Sequence, residues 1–223
     1  MRPVSHAVTA VPKKRARRPR WQRRKAARPE ELVTAAVDVF VERGYAATRL
    51  DDIARRAGVT KGTIYLYFAN KEALFKAMVR QTMVPAIARA EQTVAEHRGP
   101  AAELFRELVL GWWAVIGDGR LSGIPKLLMA EAGNFPELAR FYYDEVISRG
   151  HKLMASVLER GISTGEFRPL DVKLAVRLAW APVIHAANWR HSFALCTRDP
   201  LDVAAYLDSH LDIFLRGIAK PLQ

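Results

Sequence analysis

The chain has 223 residues, 50% of them apolar and 26% charged, with one cysteine, Cys196. That is enough for one large domain or two small ones around a real core, while a lone cysteine excludes an intramolecular disulfide and the stapled framework of a small secreted protein. The longest nearly apolar runs, Leu108 to Ile116 and Leu178 to Ala187, fall short of the ~18–20 residues that cross a bilayer, so no membrane partner is expected and a reducing cytoplasm fits best.

In chain order, the net charge of +12 comes first. Eleven of the 35 Lys and Arg residues, and no acid, lie in residues 1–28, which leaves 24 cations against 23 acids in the rest. Prolines, few apolar residues and no period make residues 1–28 a disordered basic arm. No apolar stretch follows the charges as a secretory signal requires. The arm suits a path along phosphates or into a DNA minor groove, or else serves only solubility.

The first helix is expected over Pro29 to Arg43, with Pro29, Glu30 and Glu31 suited to its start and Gly44 to its end. Leu32, Ala36, Val39 and Phe40 form one stripe, which marks a supporting helix. Thr48 can cap a second helix, with Asp51 three residues on resembling a capping box. Leu50, Ile53, Ala54 and Ala57 share one face of it. Gly58 can take the positive φ of a helix end, and Thr60 can cap the helix that follows. On that third helix Ile64 and Phe68 turn inward. Thr60, Lys61, Gly62, Thr63, Tyr65, Leu66 and Tyr67 remain for the other face, which has hydroxyls, one cation and no acid. A helix pressed against a polyanion gains by excluding carboxylates, so this face reads as a DNA-reading surface.

The run from Leu32 to Phe75, with Phe40, Gly44-Tyr45, Thr48, Asp52-Ile53-Ala54, Ala57-Gly58-Val59, Lys61-Gly62-Thr63-Ile64-Tyr65, Tyr67-Phe68 and Lys71-Glu72-Ala73-Leu74, closely resembles the DNA-binding domain of the tetracycline-repressor (TetR) family. The resemblance implies an all-α, dimeric transcriptional regulator, usually a repressor released by a small ligand. It places phosphate contacts at Thr48, Arg49 and Lys71, the last gripping one backbone together with the Tyr67 hydroxyl. Leu66 departs from the polar residue common in relatives and is limited to apolar contacts such as a thymine methyl.

Asn70 can cap a long helix from Lys71 almost to His97, which Pro85 should kink or break. In the family this helix joins the DNA-binding domain, here residues 29–75, to the ligand-binding and dimerisation domain, here 76–223. Further helices are expected near Ala101 to Ile116, Ile124 to Ala132, Pro136 to Gly161, Asp171 to Leu195 and Pro200 to Leu215, an all-α bundle. Small-molecule sites in bundles are apolar cavities with a few polar groups. Trp113, Met129, Phe141 and Trp180 are the candidates to line one for a small apolar or amphipathic effector, with Glu131 and His185 to orient it. The last two helices carry apolar residues on more than one face and are candidates for a homodimer interface. Cys196 reads as a packing residue.

No Walker loop, His-Glu-x-x-His, Gly-x-Ser-x-Gly or Cys-x-x-Cys is present, and His185 and His191 are poorly spaced for one metal. No catalysis, cofactor or metal is expected. A sequence-specific regulator on a pseudo-palindromic operator is the leading reading; a nucleoid-type protein binding any duplex through its arm is the alternative.

Overall fold

The computed structural model describes residues 29–221; the expected basic arm lies outside the described residues. These form ten α-helices with short connections, and an isolated antiparallel bridge pairs Phe167 with Ala219. The all-α expectation holds.

Helix α1 (Pro29–Arg43) starts on its proline and two glutamates and stops where Gly44 takes a φ of +80°. Helices α2 (Leu50–Arg56) and α3 (Lys61–Tyr67) meet at a turn on Gly58, φ +71°. There the Val59 N–H donates to the Ala54 carbonyl at 2.9 Å and closes the end of α2. Thr60 caps α3, its Oγ1 accepting from the Thr63 N–H at 3.3 Å. Asn70 caps α4 (Lys71–Glu96), its Oδ1 accepting from the Ala73 N–H at 2.8 Å.

Two local expectations are corrected. Thr48 does not cap α2. Its side chain is buried and its hydroxyl donates to the Gly44 carbonyl at 2.6 Å, because the end of α1 leaves acceptors that need a donor. Asp52 supports the start of α2 instead, its Oδ2 accepting from the Arg49 N–H at 3.3 Å. Nor does Pro85 break α4, which continues through it. Tertiary contacts hold both halves of the helix: Met78, Val79 and Met83 are buried before the proline, and after it the Arg149 guanidinium donates to both Glu91 carboxylate oxygens at 2.8–3.0 Å.

Beyond α4 follow α5 (Ala101–Trp112), α6 (Ile124–Glu131), α7 (Pro136–Tyr142), α8 (Ser148–Thr164), α9 (Val172–Arg190) and α10 (Val203–Ile218). Two π-helical turns, Trp113–Gly117 after α5 and Tyr143–Ile147 between α7 and α8, interrupt stretches that the sequence suggested would be plain helix. Two apolar cores result. One joins α1–α4 to Ile116, Ile124, Leu127, Leu128, Leu138 and Tyr142; the other is built from α5, α8, α9 and α10. The first core is therefore shared between the helix-turn-helix and the helices that follow α5. No helix among the described residues is long and apolar enough to cross a membrane. Cys196 is exposed and does not pack as expected.

Candidate functional site

Ile64, fully buried, and Phe68, nearly so, anchor α3 to the core of α1 and α2. This leaves Thr60, Lys61, Gly62, Tyr65, Leu66 and Tyr67 exposed and Thr63 half-buried, so the sequence-predicted reading face is presented as one surface. Leu66 is its most prominent apolar side chain, 83% exposed. The Thr60 and Thr63 hydroxyls lie 2.9 Å apart. The Lys61 ammonium pairs with Asp51 Oδ2 at 2.9 Å, and that hydrogen bond raises its pKa. Behind the face the cations are largely neutralised: Arg55 pairs with Asp52, and Arg56 with Glu42 and Asp38. Arg49 is exposed at the start of α2.

Two expected phosphate contacts are placed otherwise. Thr48 is buried under the α1–α2 turn, with its hydroxyl committed to backbone acceptors. Lys71 folds inward, its Nζ donating to the carbonyls of Tyr45 at 2.5 Å and Ala46 at 3.1 Å and lying 4.4 Å from the Tyr45 ring centroid. Desolvation there lowers the Lys71 pKa, and burial pushes the Tyr45 phenol up to about 12. Lys71 thus fastens the α1–α2 connection to α4, with its ammonium directed away from the expected place beside the Tyr67 hydroxyl. Thr48→Val keeps the side-chain shape and removes its donor. It is expected to cost ~1 kcal/mol in urea unfolding and to leave the DNA affinity of the folded protein unchanged; a phosphate contact would produce the reverse pattern.

Two apolar cavities of about 250 and 280 Å³ lie between α4, α5, α6, α8 and α9. Both are walled by Ile87, Trp112, Val146, Gly150 and Trp180. Each π-helical turn contributes two residues to the cavity walls, Val115 and Ile116 from one and Val146 and Ile147 from the other. Such turns re-aim side chains and recur at functional sites. His151 lines the second cavity; burial and the nearby Arg177 charge lower its pKa. That favours the neutral imidazole.

Of the six predicted lining residues, Trp180 borders both cavities and Met129 the second. The other four are placed elsewhere. Trp113 faces a groove between α9 and α10. Phe141 lies under the charges of Lys76 and Arg80, 5.5 and 5.1 Å from its ring. Glu131 accepts the Ala46 N–H at 2.9 Å, which ties α6 to the α1–α2 connection. His185 is exposed on α9 beside Trp189 and Tyr206. Sequence reasoning missed Ile87, Trp112, Val146 and Gly150. The one available signal was Gly150, a mid-helix glycine with no turn to explain it.

Two family profiles match. "Bacterial regulatory proteins, tetR family" covers residues 32–78, and "Tetracyclin repressor-like, C-terminal domain" covers 95–205. The chain belongs to the TetR family. Similar TetR-type proteins include the fatty acid metabolism regulator of Bacillus subtilis, 28% identical over 190 residues covering 84% of this chain and 94% of the relative. Another is the transcriptional repressor KstR2 of Rhodococcus jostii, 29% identical over 88% of this chain and 94% of the relative. Among solved TetR-type structures, FadR of B. subtilis in complex with stearoyl-CoA matches with a TM-score of 0.71, at 26% identity, covering 86% of this chain and all of that one. The ketosteroid regulator KstR2 of Mycobacterium tuberculosis matches at 0.69, with 28% identity, covering 87% of this chain and 96% of that one. This TetR-family chain is accordingly a sequence-specific DNA-binding transcriptional regulator, not a nucleoid-type protein.

Proposed function

We propose that the chain acts in the cytoplasm, without catalysis of its own, as a homodimeric repressor that binds a pseudo-palindromic operator through α3 and is released when an apolar or amphipathic effector fills the cavities beside α4. The observation that carries this reading is α4 itself. One end of this unbroken helix holds Lys71, which pins the helix-turn-helix. Further along, Met83, Ile87 and Ala90 form cavity wall. An occupant that displaces the wall acts on the same rigid element that positions α3, so binding can favour one arrangement of the reading heads over another. Stearoyl-CoA and ketosteroids, named with the relatives, indicate the size and character of suitable effectors. Dimerisation is supported by exposed apolar side chains on the last two helices, Leu174, Leu178 and Ile213. A two-fold dimer matches half-sites about one helical turn, or a multiple, apart.

Gly150 offers a direct test, because it borders both cavities and a Cβ added there meets nothing within 4 Å. Gly150→Leu is expected to fill the space while improving helix propensity by several tenths of a kcal/mol. The variant should bind DNA upstream of its own gene as wild type does, yet stay bound when stearoyl-CoA or a ketosteroid that releases the wild-type protein is added. Equal release of both proteins would place the effector elsewhere.

A further inference from the structure

The helix-turn-helix has little unmatched charge with which to hold DNA. Residues 29–75 contain six Lys and Arg against seven Asp and Glu, whereas residues 1–28 contain eleven cations and no acid. Pairing within the domain completes the balance. Arg43 and Arg55 both reach Asp52 Oδ1, at 3.1 and 3.3 Å, and Arg56 is held by Glu42 and Asp38. Asp51 holds Lys61, the one cation of α3, at 2.9 Å, and the Lys61 ammonium stands 5.7 Å from the Tyr65 ring centroid. Lys71 is turned onto backbone carbonyls. That leaves Arg49, exposed and without a carboxylate partner among the described residues.

A duplex is bound without regard to sequence through cations that replace its condensed counterions. A cation already matched to a carboxylate gains little by that exchange, because the carboxylate is then left facing phosphates. The junction with residues 1–28 lies close to the reading face. Glu30, Glu31 and Thr34, at the start of α1, border the same surface depression as Arg56 and Ala57 at the end of α2, just before the turn into α3. From there the 28 residues that precede Pro29 span at most ~90 Å, more than twice the ~34 Å of one turn of duplex.

We propose that residues 1–28 bind the phosphate backbone of the duplex and supply most of the protein's sequence-independent affinity, while the self-paired charges of the helix-turn-helix leave α3 to discriminate between sequences. This inference rests on the DNA-reading role of α3 and adds where the phosphate contacts lie. Affinity and specificity are then separable. Cations in residues 1–28 attract every duplex alike, and the carboxylates of Asp51 and Asp52 keep the cations around α3 from adding to that attraction.

The test measures affinity by fluorescence anisotropy for the full chain on two duplexes, the DNA upstream of its own gene and a scrambled one, between ~50 and ~200 mM salt. The combined variant R15Q/R17Q/R18Q/R20Q/R23Q/R24Q is expected to lower the slope of log affinity against log salt on the scrambled duplex by ~5 per engaged segment, and the affinity at the lower salt by at least ~100-fold. The same six positions changed to Lys should keep both values, since either cation neutralises a phosphate, and preference for the native duplex should survive in both variants. Lys61→Gln should change the slope by less than ~1, and Asp51→Asn, which releases Lys61, should steepen it by about 1. Circular dichroism checks that each variant is folded. A six-Gln variant with the wild-type slope would overturn the proposal and leave residues 1–28 a solubilising segment. A loss for Lys61→Gln as large as for the six arginines, or an unchanged slope in Asp51→Asn, would overturn it as well. Equal binding of wild type to both duplexes would count instead against sequence reading by α3, because the slopes are measured on scrambled DNA and stand apart from that preference.

Discussion

Leu66→Glu is expected to weaken binding to the operator by about 100-fold, since placing like charges together at an interface costs several kcal/mol, and to leave the melting temperature unchanged. The side chain is 83% exposed and packs against nothing that holds the fold, so its replacement should shift stability by less than ~0.5 kcal/mol. The effect on binding is different in kind. Helix α3 carries no acid, and its exposed face meets a polyanion with hydroxyls, an ammonium and apolar surface. A carboxylate there faces phosphates, and in a dimer it does so twice. Leu66→Gln separates the charge from the loss of apolar contact: it should lose much less affinity than the glutamate variant. A gel-shift titration of the three proteins, alongside thermal melts, supplies the comparison. Equal losses for Gln and Glu would mean that the leucine contact, and not electrostatics, governs this position.

Phe75→Ala should cost ~3–5 kcal/mol of stability, the usual range for truncating a fully buried aromatic residue. Phe75 is completely buried and stands edge-on to both Phe40 and Tyr45, with centroids 5.6 Å away in each case. Tyr45 in turn meets Phe135 at 4.8 Å. The ring therefore closes a cluster that joins α1, the α1–α2 connection, α4 and the start of α7. Typical domains are stable by only ~5–15 kcal/mol, so the loss is a large part of the total. Because the second core, around Phe105, Met154, Val183 and Leu211, shares none of these residues, urea unfolding followed by both far-ultraviolet dichroism and tryptophan fluorescence is the informative measurement. A variant as stable as wild type would show that the cluster can repack around the missing ring.

The helix-turn-helix was legible because its signals are local. Gly44 and Gly58 sit where the backbone needs positive φ, Thr60 and Asn70 make the cap contacts their positions suggest, and Ile64 faces inward by simple periodicity. What failed depended on how the chain folds back on each residue. Thr48 looks like a cap in sequence, but the carbonyls at the end of α1 claim its hydroxyl. Lys71 looks like a phosphate contact, but the turn of α1 into α2 brings two carbonyls and an aromatic ring to its ammonium. Glu131 read as a polar group on an apolar helix suited to a ligand, and it is instead occupied by the Ala46 amide, far away in sequence.

The cavity was the least legible part. Large apolar residues at helical spacing identify a buried surface without saying which buried surfaces meet and which leave space. The π-helical turns at Trp113–Gly117 and Tyr143–Ile147 shift the phase of the helices they interrupt. Adjacent helical residues point about 100° apart, and so Trp113 falls outside the cavities while its neighbour Trp112 borders both, and Phe141 lies outside while Tyr142 reaches the wall. In each case the aromatic cluster was found and the face was missed by one residue. Trp180 lies within the unbroken α9, where no such shift intervenes.

The central claim is that α3 reads a DNA sequence. Its most direct test is the affinity of the purified full chain for the DNA upstream of its own gene against a scrambled duplex of equal length and composition, at one moderate salt concentration, since phosphate contacts make affinity salt-dependent. A preference of at least ~1,000-fold, typical of specific over non-specific binding, is expected for the native DNA, and Tyr65→Ala should abolish it while the protein remains folded. If equal affinity for the two duplexes persists when the rest of the genome is offered as competing fragments, α3 does not read sequence and the claim is contradicted.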